Sequence, residues 1–380
     1  MAQRLCETLK PLCLSGSTSE KFMSVKIFLH QQPFTLESGK VLPQLHLAYT
    51  ALGNLNKAGD NVVWVFHALT ANSDPSEWWH GLVGAGKFFD PAAYFIVCVN
   101  MPGSCYGSIG PLGIDVESGH PYYHSFPWFT TRDMIKAYQH LRLALGINKI
   151  FAGLGGSMGG QQLLEWAVEE PELFENILPI ATNAQHSPWG VAFNASQRWC
   201  IEADPTWKST NETAGLDGMQ VARSIALISY RNYHTYDHAQ QSISSDTLGL
   251  PTDQQVFRAE TYQHYQGEKL AKRFNAFSYY FLSKGMDAHN LARGRVSLEE
   301  SLNRIKCPAL VIGIKTDLLF PIQEQQFLAR HIPNAEFALI DSPYGHDGFL
   351  LEFEAITEHL KEFLGENKLL KNKEAINAGQ

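Results

Sequence analysis

The sequence predicts an α/β fold with a mostly parallel central sheet, helices on both faces and a helical lid insertion. Three observations predict it. Short apolar runs of the buried-strand type, NVVWVFH (61–67), YFIVCVN (94–100), NILPIAT (176–182) and PALVIGI (308–314), alternate with segments of helical periodicity. That alternation stops between about 185 and 300, where Gln, His, Tyr, Arg and Ser are abundant and no buried-strand signature occurs. Residues 149–170, KIFAGLGGSMGGQQLLEWAVEE, place a glycine-flanked serine between a strand and a helix.

Taken in order, SVKIFL (24–29) and LHLAYT (45–50) are separated by Pro33, Gly39 and Pro43, which predicts an antiparallel pair at a sheet edge. The runs at 61–67 and 94–100 read as central strands. A helix fits 131–146, opened by Thr130 or Thr131 and closed by Gly146. A strand over 149–154, a helix after Ser157 and the strand 176–182 follow. The pattern resumes with the strand 308–314, a helix over 322–331, a strand over 336–340 and a closing helix over 347–364. The core therefore comprises 22–184 and 301–365, the helical insertion 185–300, and flexible tails are expected at 1–21 and 366–380.

Composition sets the outer limits. A chain of 380 residues, 44% hydrophobic and 18% charged, is long enough to bury a large core. Its formal charge of −8 has no block of like sign, which argues against a nucleic-acid partner. The six cysteines show no CxxC and no zinc-type spacing, so they read as thiols of a reducing compartment and no metal is expected. MAQRLCETLKPLCLSGSTSEK lacks the apolar run of a secretory signal, and no stretch approaches the length of a membrane span. The expectation is a cytoplasmic protein with no membrane partner.

The chemistry centres on Gly155-Gly156-Ser157-Met158-Gly159, which fits the G-x-S-x-G nucleophile elbow. Serine is a weak nucleophile at neutral pH and needs a base and an orienting acid. In elbow proteins these come later in the chain, acid first. Asp317 follows the strand 308–314, and His346 follows the last strand. The bland alternatives are a turn needing a small residue, a helix cap and an ordinary polar loop residue. The joint placement of all three in chain order favours a triad. An oxyanion hole needs two backbone N–H groups. Met158, after the nucleophile, supplies one, and Leu69 in FHALTAN supplies the other. His67 reads as structural because His346 already provides the base.

FHALTAN (66–72), EWWHGLVGAGKFFD (77–90), GSIGP (107–111), GGSMGGQQLLEWA (155–167), VARSIALISY (221–230), ETYQHYQGEKLAKRF (260–274) and GHDGFLLE (345–352) follow one another from about 30 to 365. In this the chain resembles the homoserine O-acyltransferases of the MetX type, within the α/β-hydrolase superfamily. The resemblance implies acetyl transfer from acetyl-CoA, a co-substrate with no bound cofactor, to the hydroxyl of L-homoserine through an acyl-serine. It places the substrate arginine at Arg223, a two-point partner for a carboxylate, and the substrate aspartate at Asp347, a partner for an ammonium group. Read alone, Arg223 would be a solvated helix residue and Asp347 a helix cap. The resemblance also implies a homodimer through the insertion, and methionine biosynthesis as the setting.

The chain departs from that pattern at Ser104-Cys105, where relatives tend to carry two glycines before the cysteine, and at Ile109 in place of threonine. Asn275 and Asn290 stand where aspartates are usual. The first departure lies in a loop expected to border the acyl pocket, so a succinyl donor or a serine acceptor stays open. An esterase or thioesterase with the same triad, and an inactive scaffold, are the rival readings. A hydrolase has no use for Arg223 and Asp347 together.

Overall fold

The computed structural model describes residues 25–365; the tails expected at 1–21 and 366–380 lie outside that range. Among the described residues ten strands form: β1 (Lys26–His30), β2 (Phe34–Thr35), β3 (Val41–Leu42), β4 (Leu45–Leu52), β5 (Val62–Phe66), β6 (Phe95–Val99), β7 (Ala152–Gly156), β8 (Ile177–Ile180), β9 (Ala309–Ile314) and β10 (Ala335–Ile340). Eight of them make one sheet in the order β1-β4-β6-β5-β7-β8-β9-β10, and β2 and β3 pair separately. β1 runs antiparallel to β4 at the edge, as expected, and β4 runs antiparallel to β6. All the remaining pairings of the large sheet are parallel.

Every residue of β5, β6, β7, β8 and β9 is buried, which is why these strands read as unbroken apolar runs. Alternation survives in which core each side chain enters. Val62, Trp64 and Phe66 join one apolar cluster, while Val63 and Val65 join the other on the opposite face.

The helices are α1 (Pro75–Trp78), α2 (Thr131–Ala144), α3 (Met158–Glu169), α4 (Pro188–Ala203), α5 (Leu216–Tyr230), α6 (Tyr233–Ala239), α7 (Arg258–Ala271), α8 (Ala276–Asp287), α9 (Leu298–Asn303), α10 (Ile322–His331) and α11 (Phe353–Leu364). Of the two proposed caps for α2, the structure uses Thr130. Its hydroxyl accepts from the Asp133 amide while Asp133 returns a bond to the Thr130 amide. The strand expected at 149–154 begins three residues later and ends two residues later, directly at the serine. The closing helix begins at Phe353, six residues later than expected. The intervening Gly345–Leu350 forms a 3₁₀ turn, which the packing of His346 and Phe349 into the site requires.

Between β8 and β9 the described chain forms only helices and loops. α4 packs on α5, α5 on α7, and α4 on α8. A buried ionic network joins the end of this region to the sheet-covering helices. Glu165, fully buried on α3, accepts from Arg132 Nε at 2.9 Å and Arg295 Nη2 at 2.5 Å, while Arg293 reaches Glu37 at 2.7 Å. A buried carboxylate tolerates that position only when such partners satisfy it. Among the described residues, no helix is long and apolar enough to cross a membrane.

Candidate active site

The site lies beyond the carboxyl ends of the parallel strands, where doubly wound sheets place their ligands. Ser157 follows β7 with φ 56° and ψ −127°, a left-handed conformation that costs a non-glycine residue about 1–3 kcal/mol. Its neighbours explain how the turn is held. A Cβ on Gly159 would stand 2.1 Å from the Phe66 carbonyl oxygen, and one on Gly156 would stand 2.4 Å from the Phe349 ring. Only glycine permits these approaches. They press the start of α3 against the end of β5 and the serine against the 3₁₀ turn.

His346 and Asp317, which the sequence proposes as base and acid, lie in contact. His346 Nδ1 donates to Asp317 Oδ2 at 2.6 Å, and both residues are buried. A carboxylate only accepts, so the proton sits on Nδ1 and Nε2 is left as the basic nitrogen. Asp317 Oδ1 accepts from the amides of Leu319 and Phe320 at 2.8 and 2.9 Å. One oxygen shapes its own turn and the other holds the imidazole; the helix-cap alternative is not realised, because α10 is opened by Pro321. Burial alone would push the His346 imidazole down. The Asp317 charge and hydrogen bond, with Asp347 adding to them, outweigh burial and raise it above 6.5. The rings of Phe320 and Phe349 lie 5.1 and 5.2 Å from His346 and fix its plane. No hydrogen bond joins the Ser157 hydroxyl to His346 here. Phe349, which touches both His346 and Gly156, is the element they share.

The two amides proposed as oxyanion donors are unpartnered among the described residues: neither the Leu69 nor the Met158 amide has an acceptor, although both residues are buried. Free buried N–H groups are rare and call for a role. The loop carrying Leu69 is held by His67. The Met101 amide can only donate, so His67 Nε2 accepts from it at 3.0 Å and Nδ1 donates to the Ala68 carbonyl at 2.8 Å. Burial pushes this imidazole down to about 4, against a small opposing pull from that carbonyl. Burial thus favours the neutral ring, held between the Met101 amide and the Ala68 carbonyl.

The predicted substrate pair is arranged differently from a simple two-residue clamp. Arg223 is half-buried on α5, with its guanidinium 5.3 Å from the Tyr230 ring centroid. Asp347 is paired with Arg231 Nη1 at 2.9 Å and not with Arg223. Tyr230 links the two sides, because its ring is also 5.7 Å from His346. The backbone of 230–232 would lie 2.9–3.0 Å from a Cβ on Gly345, so the end of α5 rests on the turn that carries the base. Sequence reasoning missed Tyr230 and Arg231. A signal was available for Tyr230, which lies seven residues after Arg223 on the same helical face; Arg231 follows the helix with extended backbone and carries none.

Trp79 supports the base from the other side. It is fully buried, and its Nε1 donates to the Phe349 carbonyl at 2.9 Å. The departing loop also adjoins the site. Cys105 Sγ lies 3.5 Å from the Arg273 carbonyl, and Arg273 Nη1 donates to the Thr70 carbonyl at 2.6 Å. Burial drives the Cys105 thiol up to about 12, so it is no nucleophile. Asn275 caps α8 and Asn290 accepts from the Ala292 amide. Each thus needs only an acceptor oxygen, which asparagine supplies as well as aspartate.

A family model described as the alpha/beta hydrolase fold matches residues 61–353. A homoserine O-acetyltransferase of Cyclobacterium marinum is 47% identical over 345 residues, covering 91% of this chain and 96% of that protein. The chain belongs to the homoserine O-acetyltransferase family. Another member, from Trichormus variabilis, is 42% identical over 87% of this chain and 91% of its own. The solved homoserine O-acetyltransferase of Bacillus anthracis superposes with a TM-score of 0.82 at 26% identity, covering 90% of this chain and 98% of that one. An esterase, E22, superposes with a TM-score of 0.80 at 23% identity over 90% of this chain and 100% of its own, a likeness of fold. Within the family's α/β-hydrolase fold, the elbow, the acid–base pair and the free amides converge at one end of the sheet.

The His346 environment makes a measurable prediction. Its Hε1 resonance should titrate above pH 6.5 by NMR. In Asp317→Asn the charge is lost while burial stays, so the midpoint should fall below 6.5. An unchanged midpoint would show that Asp317 does not control the imidazole.

Proposed function

We propose that the protein transfers an acetyl group from acetyl-CoA to the side-chain hydroxyl of L-homoserine by a two-step, ping-pong reaction. The observation that carries the proposal is the 2.6 Å His346–Asp317 bond beside a strained serine and two unused amides, in a chain of this family. His346 Nε2 takes the Ser157 proton as Oγ attacks the thioester carbonyl. The Leu69 and Met158 amides stabilise the oxyanion. The C–S bond breaks, coenzyme A leaves as the thiol with the proton from His346, and acetyl-Ser157 remains. Homoserine then binds, His346 accepts its hydroxyl proton, and the alkoxide attacks the acyl carbon. Collapse of that intermediate forms the ester and returns the proton to Ser157.

The acceptor is a zwitterion, and the groups around Tyr230 suit it. Arg223 is the partner for the carboxylate and Asp347 for the ammonium group, with Arg231 holding Asp347 in place. The helical segment 185–300 roofs the site and excludes water, which directs the acyl group to an amino-acid hydroxyl. No bound cofactor or metal takes part in this reading, and the setting is cytoplasmic methionine biosynthesis. The segment also exposes apolar side chains on α5 and α7, including Val221, Ile228 and Tyr265. These favour a homodimer through the insertion.

Rapid-quench mass spectrometry with acetyl-CoA alone should find an acetyl adduct on Ser157 and none in Ser157→Ala. Crossing acetyl- and succinyl-CoA with homoserine and serine should give the highest kcat/KM for acetyl-CoA with homoserine. Free acetate released as fast without an amino acid as with one would favour an esterase.

Arg223→Leu should raise the KM for homoserine roughly 10- to 100-fold, the equivalent of a charged hydrogen bond of about 1.5–3 kcal/mol, and leave adduct formation unchanged. A loss confined to the first half-reaction would remove Arg223 from the acceptor site.

Light scattering after size exclusion should report a dimer, and Val221→Asp with Ile228→Asp should shift it to monomer. A monomeric wild type would reject that interface.

A further inference from the structure

Three non-glycine residues have positive φ among the described residues, and two of them sit side by side at the elbow. Ser157 (φ 56°) and Ala181 (φ 45°) end neighbouring strands. The Ser157 amide donates to the Ile180 carbonyl at 3.0 Å, and the Ala181 amide to that of Ile312 at 2.9 Å. The left-handed turn at Ala181 aims the next residue back at the serine. Thr182 is fully buried, and its hydroxyl donates to the Ser157 carbonyl at 2.8 Å. Its own carbonyl is fixed by the side-chain amide of buried Gln325 at 2.7 Å, and its side chain abuts Gly160.

The Ser157 carbonyl and the Met158 N–H are opposite ends of one planar peptide. Fixing the oxygen fixes the direction of the N–H, and a donor on the oxygen polarises the amide and strengthens it as a donor. We propose that Thr182 is a positioning residue of the oxyanion hole, orienting and polarising the Ser157–Met158 peptide through this hydrogen bond. The inference rests on the reading above in which Met158 is an oxyanion donor. Satisfying a buried carbonyl does not explain the contact. That oxygen already accepts from the amides of Gly160 and Gln161 at 3.0 and 3.2 Å, and Thr182 adds a third, shorter bond. Nor is the arrangement relaxed, because a left-handed alanine persists only where its surroundings over-determine it.

Thr182→Val, which keeps the shape and removes the hydroxyl, should lower kcat on the order of tenfold. That is less than the roughly 10²- to 10³-fold loss on deleting an oxyanion donor outright. KM for acetyl-CoA should stay within about twofold, and a boronic acid that forms a tetrahedral adduct on Ser157 should bind more weakly by the same factor as kcat falls. Thr182→Ser should restore turnover, and Thr182→Cys, a weak donor, should fall between. Full kcat in Thr182→Val, an equal loss in Thr182→Ser, or unchanged boronate affinity would each overturn the proposal. Should the valine variant fail to fold, equal kcat in the serine and cysteine variants would overturn it instead. Ser157→Ala in the same assay separates the two levels. Residual acyl transfer there removes the acyl-serine reading and this inference with it. A dead Ser157→Ala beside a fully active Thr182→Val removes this inference alone.

Discussion

The left-handed backbone at Ser157 is the constraint on which the rest of the structure depends. A serine held at φ 56° turns the chain from β7 into α3 within one residue and leaves the next amide free. Such a turn is unfavourable by itself and has to be imposed. The imposition comes from close backbone approach: α3 starts against the Phe66 carbonyl, Phe349 lies on Gly156, and Thr182 sits against Gly160. The glycines around the serine are therefore packing requirements of the fold as much as access for a substrate. The same contacts bring β5, β7 and β8 to one point, where Leu69, Ser157 and Thr182 leave their ends.

Electrostatics at this point follows from burial and pairing acting on similar side chains in opposite directions. His67 and His346 are both buried imidazoles a short distance beyond strand ends. His67 faces a backbone amide and a carbonyl, burial dominates, and it stays neutral as a brace. His346 faces a carboxylate, which outweighs burial and makes the ring a base able to hold a proton. The difference lies in one partner, not in the residue. The insertion adds a further contribution, because the end of α5 rests on the turn around Gly345 and carries Arg231 to Asp347. Asp347 and His346 thus share one support.

Much of this was legible from the sequence. Buried parallel strands must be apolar throughout, so β5, β6, β8 and β9 declared themselves, and the elbow declared itself by its glycines. Ser157, Asp317 and His346 were legible because the chain order of strands fixes which loops reach the sheet's carboxyl end. The boundaries were less so. β7 begins three residues and ends two residues after the run that predicts it, and the closing helix begins six residues late, since periodicity cannot distinguish a 3₁₀ turn from the first turns of a helix. Tyr230 and Arg231 were overlooked because an aromatic and a cation on a helix ordinarily read as core edge and solvent.

The sequence by itself determined the fold class, the family and the choice of Ser157, Asp317 and His346 as candidates, because each is carried by residue type and linear order. Only the tertiary structure decided which charge meets which. Asp347 is paired with Arg231, Arg223 lies over Tyr230, and Thr182 reaches the Ser157 carbonyl. The Thr182–Ser157 and Asp347–Arg231 pairings depend on distances of a few ångströms between segments 25 and more than 100 residues apart. Hydrogen bonds and ion pairs act over that range alone, and no local pattern in the chain encodes it.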